Sequence, residues 1–200
     1  GGSLDLGVFT ARSRWSNGGT SYSTLLTPRK YTGLEGALGT ARLQGVDAFK
    51  LTGTSLYLKL NQTSVSGAAV LDWRQTAVTN NVLASAGVDL GPTDPTFQIG
   101  GSVGLSIADV VFGRATVSVS RSVLSGVDDP TLEDSAAVLK GELLSVAVTG
   151  ATLFIGTGAT FDAASGSVSL PASNDANAVG FSVTGGAFNL GVFTAREASA

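Results

Sequence analysis

Apolar residues alternate with polar or small ones through most of the chain, and one ten-residue pattern recurs. It is apolar-x-apolar-Thr-Gly-x-x-apolar-x-apolar, occurring at Phe49 to Leu58, Val146 to Ile155 and Phe181 to Leu190, with a variant at Leu105 to Phe112 in which Ala108-Asp109 replaces Thr-Gly. Period-two alternation is the mark of half-buried strands, and a glycine between two such runs predicts a strand, a turn and a second strand in each copy. Ala115 to Ser120 and Ser165 to Leu170 alternate in the same way and are expected strands. Gly91 to Pro95 and Pro171 to Ala178 carry turn residues and are expected surface loops. Gly100 to Gly104 lacks the Lys-Ser/Thr of a phosphate loop and is taken as a strand bend. Ser13 to Lys30, which mixes Arg, Trp, Asn-Gly-Gly and Pro, is expected to be a long excursion. One short helix is expected near residues 131–144, where Asp129-Pro130 and Glu133-Asp134 precede Ala136, Leu139 and Leu143 at helical spacing.

A longer repeat encloses these patterns. Residues 1–12 read GGSLDLGVFTAR and residues 185–196 read GGAFNLGVFTAR, nine matches in twelve at an offset of 184. This predicts that residues 1–184 form one tandem-repeat unit and that residues 185–200 begin the next. The Thr-Gly turns are spaced 56, 41 and 35 residues apart, too unevenly for a solenoid of identical rungs. The expected fold is all-β, a β-solenoid-like stacked repeat several rungs long, with a β-sandwich or β-barrel repeat domain as the alternative. The terminal strands should present open edges and apolar faces to neighbouring copies. The residues expected to form that interface are Leu6, Val8, Phe9, Phe188, Leu190, Val192 and Phe193.

Composition narrows the chemistry. Charged residues make up 14% of the 200 and apolar ones 43%, which suits a folded chain, and 27 glycines favour tight turns. A net charge of −3 provides no basic footprint for nucleic acid, and no apolar run is long enough to span a bilayer as a helix. With no Cys and no His there are no disulfides, no thiolate metal sites and no Ser-His-Asp or Cys-His arrangement. Nothing in the sequence brings two carboxylates together for glycoside hydrolysis, so an enzyme is not expected and no catalytic or cofactor-binding residue is assigned.

Three groups of residues hold some chemistry. Asp128, Asp129, Glu133 and Asp134 are the candidate calcium ligands, since calcium takes six to eight oxygens from carboxylates and carbonyls; the competing reading is a solvated turn at a helix start. Asp89 and Asp94 lie in another acidic loop. Trp15, Tyr22 and Tyr31, beside Arg12, Arg14, Arg29 and Lys30, suit either stacking on glycans or, in the preferred reading, the edge of a core or of an interface between units. Asn61-Gln62-Thr63 is a glycosylation triplet with meaning only in a eukaryotic secretory setting.

Gly36 to Asp47 (GALGTARLQGVD), Phe49 to Asn61 (FKLTGTSLYLKLN), Val70 to Trp73, Leu153 to Gly156 and Val179 to Ser182 together resemble repeats of very large bacterial proteins. Those proteins are similar to secreted or surface adhesins, some with haemolysin-type calcium-binding repeats elsewhere. The resemblance implies a repetitive, extended protein at the cell surface or outside the cell, with neighbouring copies of the same repeat as partners. Two functions follow as expectations: a structural unit of a stalk or filament, or a module binding surface glycans or calcium through Ser13 to Lys30 and Gly126 to Asp134.

Overall fold

The computed structural model describes residues 1–16, 21–43, 46, 48–65, 68–74, 83–128 and 138–196. Its elements are strands β1 (Gly2–Ser16), β2 (Ser21–Arg42), β3 (Phe49–Thr63), β4 (Phe97–Ile107), β5 (Val111–Asp128), β6 (Val138–Thr157), β7 (Thr160–Asp162), β8 (Ser167–Ser169) and β9 (Val179–Arg196), plus one 3₁₀ turn at Ala84–Ala86. Seven strands form one antiparallel sheet in the order β1-β2-β3-β4-β5-β6-β9, and β7 pairs with β8 separately. The fold is all-β, as the alternation predicts.

The strands are long, up to 22 residues in β2, where five or six is usual. The Thr-Gly pattern explains how they stay regular. Gly53, Gly150 and Gly185 do not turn the chain back; each lies inside a single strand. Between β6 and β9 the register runs Val148↔Phe188, Ala151↔Gly186, Leu153↔Val183, so each strand carries one extra residue beside the other's. Gly150 (φ 59°) and Gly185 (φ 71°) supply the left-handed backbone that such bulges need. An extra residue shifts the alternation by one. The apolar positions, odd at Val179, Phe181 and Val183 and even at Phe188, Leu190 and Val192, thereby return to one face of β9. The expected strand-turn-strand is therefore a bulged strand. Only the variant turns: Ala108 (φ 51°) and Asp109 (φ 50°) form the two-residue loop between β4 and β5, closed by Val110 N–H donating to Ile107 O at 3.0 Å.

Two other expectations are corrected. Ser13 to Ser16 and Ser21 to Lys30 belong to β1 and β2, not to an excursion, because pairing in the sheet outweighs their weak alternation; residues 17–20 lie outside the described residues. Leu139 and Leu143 lie in β6, opposite Val127 and Ser122 of β5, so the ladder takes the segment that helical spacing suggested. The rest of the expected helix, residues 131–137, falls outside the described residues.

The chain divides into two compact units, and the division crosses the strands. One unit comprises residues 3–36 and 58–97. Its core is Trp73, Val88 and Leu90, all buried, with Tyr31, Leu71, Leu83 and Ala86 packed against them. The other comprises residues 1–2, 37–57 and 98–200. There Phe112 and Phe154 are buried with ring centroids 6.2 Å apart, and the β7–β8 hairpin covers Thr52, whose Oγ1 donates to Ala163 O at 2.9 Å. Among the described residues no helix is long and apolar enough to cross a membrane.

Candidate functional site: the two strands that end the sheet order

Trp73 organises the first unit from a loop rather than a strand. Its backbone N–H donates to Leu90 O at 2.8 Å, and its indole Nε1–H donates to Asn61 Oδ1 at 3.1 Å. Asn61, fully buried on β3, returns its amide hydrogens to Leu71 O (3.0 Å) and Gly91 O (3.2 Å). Every side-chain polar atom of the pair is therefore hydrogen-bonded, which makes burial of an indole and an amide tolerable. That burial also removes Asn61 from any role as a glycan acceptor.

The ring lies against two glycines on adjacent strands. A Cβ at Gly33 on β2 would stand 2.6 Å from Trp73 Cε2, and one at Gly7 on β1 would overlap the six-membered ring. The first unit therefore requires glycine at both places. Beside Gly7, the Phe9 ring faces Tyr31 at a centroid distance of 6.2 Å. Leu4, Leu6 and Val8, alternating with these, are exposed at 70%, 59% and 54%.

β9 closes the second unit. It pairs with β6 from Thr157↔Val179 to Lys140↔Arg196, and at the end of the sheet order its other edge has no partner strand among the described residues. Phe193 covers Gly141 of β6, where a Cβ would stand 2.6 Å from its Cζ. Phe188, Leu190 and Val192 are exposed, as are Val179 and Phe181. Residues 179–195 contain no charged side chain, so β9 lacks the usual protection of an edge strand. An exposed, uncharged apolar row on an edge strand is open to pairing with another strand.

Six of the seven residues expected at an interface are thus exposed on β1 and β9, and Phe193 is half-buried on Gly141. Of the candidate calcium ligands, Asp128 ends β5, its side chain undescribed, while Asp129, Glu133 and Asp134 lie outside the described residues. Among the described residues no group of three His, Cys, Asp or Glu side chains is arranged for a metal. Asp89 and Asp94 are held by Arg74, at 2.6 Å each, with Asp94 also accepting from Gly91 N–H at 2.7 Å. The hydrogen bond that Arg74 donates to the Asp89 carboxylate raises the Arg74 pKa above its ordinary value, against a smaller desolvation penalty. This acidic loop is ion-paired internally. Tyr31 packs on the Trp73 core, while the side chains of Trp15 and Tyr22 lie outside the described residues.

Sequence alone does not mark the Trp73–Asn61 pair as a site: its members lie in two of the segments that resemble bacterial repeats, with no spacing that links them. Comparison with protein-family models, curated proteins and solved structures finds no match to this chain.

Proposed function

We propose that this chain is a structural tandem-repeat unit of a giant extracellular bacterial protein, in which β units join end to end, in a solenoid-like array, to build a stalk or filament. The observation that carries the reading is the position of the repeated segment. Leu6 to Arg12 lies on β1 and Leu190 to Arg196 on β9, the first and last strands of one sheet order, with β2 to β6 between them. A sequence period that coincides with a strand period is what a sheet continuing from copy to copy requires. The bulge pattern adds support, because it keeps one apolar face in phase along β6 and β9, strands of 20 and 18 residues. The extracellular setting is supported by the resemblance to adhesin-like repeats alone.

A chain of two copies sharing the junction strand, residues 1–196 followed by residues 13–200, tests this reading. It is expected to unfold at a midpoint several degrees above that of the single copy, because each junction buries a strand edge that the single copy leaves open. Equal midpoints would overturn it.

A further inference from the structure

We infer that Gly191 and the open edge of β9 form a seat for β2 and Trp73 of a second copy of this chain, with that copy's Tyr31 beside Phe193. The inference rests on the tandem reading above and gives it a surface, a register and an anchor.

Each copy of the LGVFTAR segment displays contacts that the other lacks. At β1 the outer partner is absent but the β2 side is complete: Trp73 covers Gly7 and Tyr31 faces Phe9. At β9 the β6 side is complete, with Phe193 on Gly141, while the other edge is open. Gly191 corresponds to Gly7, yet a Cβ there would meet only Leu143 Cδ1 at 3.7 Å, an ordinary contact. A glycine inside a strand weakens it and marks close approach of another group. Among the described residues nothing comes closer to a Cβ at Gly191 than that Leu143 contact. An indole laid on it as Trp73 lies on Gly7 supplies the reason for the residue.

The register follows from the pairing already present. Gly39 N–H donates to Gly1 O at 3.0 Å, and a Cβ at Gly36 would touch Leu4. Carried forward by 184 residues, the second copy's Gly39 donates to Gly185 O, its Gly33 lies opposite Gly191, and its Tyr31 reaches Phe193. The occupant must be a copy of this chain, because the seat matches two features found together in it: a β2 carrying Gly33 and Tyr31, and a loop that presents Trp73 with its indole N–H already bound to Asn61. An absence of charge on residues 179–195 permits that close approach.

The test uses the two-copy chain and the single chain, each with Gly191→Val and with the milder Gly191→Ala, labelled with 5-fluorotryptophan. Replacing Trp73 by Phe in either copy assigns the fluorine signals. In the two-copy chain, Gly191→Val in the first copy should shift or broaden the second copy's Trp73 signal and lower the melting midpoint by about 5 °C, with Gly191→Ala smaller in the same direction. In the single chain both variants should leave signals and midpoint unchanged. If the two-copy chain is stabilised but indifferent to both substitutions, this seat is wrong while end-to-end stacking stands. If it is neither stabilised nor sensitive, both fail. An equal loss in single and two-copy chains would place the need for Gly191 within one copy and overturn the inference.

Discussion

Leu6 to Arg12 and Leu190 to Arg196 are the same seven residues in the same extended conformation, and they live in different surroundings. In β1 the glycine of the segment is buried under an indole; in β9 it is exposed. Local sequence sets the strand, its alternation and which side chains share a face. It does not set what covers that face. The cover arrives from residue 73, sixty-six positions after Gly7, and its arrival turns an unremarkable glycine into an obligatory one.

The comparison breaks most completely if the cover is removed. Trp73→Ala strips the ring from Gly7 and Gly33 and leaves Asn61 Oδ1 without its donor, so urea unfolding should show a loss of about 3–5 kcal/mol. A loss below about 1 kcal/mol would mean that Trp73 does not distinguish the two segments. Asn61→Ala keeps the indole but takes their Asn61 partner from Trp73 Nε1 and Leu71 O, while Gly91 O keeps the Asp94 N–H, and should cost about 2 kcal/mol. The sharpest contrast is between Gly7→Val and Gly191→Val in the single chain. The first forces a side chain into the ring and should cost about 1–3 kcal/mol, whereas the second should stay within about 0.5 kcal/mol of the parent. Equal costs at the two sites would remove the distinction on which the second-copy seat is built.

These particulars also mark where sequence reasoning reached. The strand at 115–120, three residues (Ser167–Ser169) of the strand expected at 165–170, the exposed apolar rows on β1 and β9, and the loop at 171–178 follow from alternation and turn residues, because those signals are local. The Thr-Gly pattern misled for a physical reason. A glycine between two alternating runs suits a hairpin and a bulge equally, and the choice depends on whether neighbouring strands supply a continuous ladder, which the sequence does not display. Helical spacing at Leu139 and Leu143 lost to pairing with β5 on the same grounds. Trp73 and Asn61 were legible singly, but their hydrogen bond twelve positions apart, and the two glycines beneath the ring, belong to tertiary structure alone.

The smallest expected effect comes from acid, and it supplies a baseline away from both segments. Asp109, in the β4–β5 turn, is held below the ordinary aspartate pKa chiefly by the hydrogen bond from Lys50 and then by that from Ser106. Asp162 is lowered first by Ser165 Oγ and then by the Ala164 N–H, contacts that close the β7–β8 turn over Thr52. For a carboxylate whose folded pKa lies below its unfolded value, the stabilisation is fully present above about pH 4 and fades as pH falls through the folded value. Both carboxylates are solvent-exposed, so the loss is small and screened by salt. The urea midpoint should therefore fall slightly between pH 6 and pH 3, and less in the double variant Asp109→Asn/Asp162→Asn. Since the contacts that hold the two turns are made with Lys50, Ser106, Ala164 and Ser165, none of which is in the repeated segment, the decrement per copy should be the same in single and two-copy chains. A greater decrement in the two-copy chain would mean that the junction, where β2 of the second copy carries Glu35 two residues from Gly33, adds to what the two turns lose.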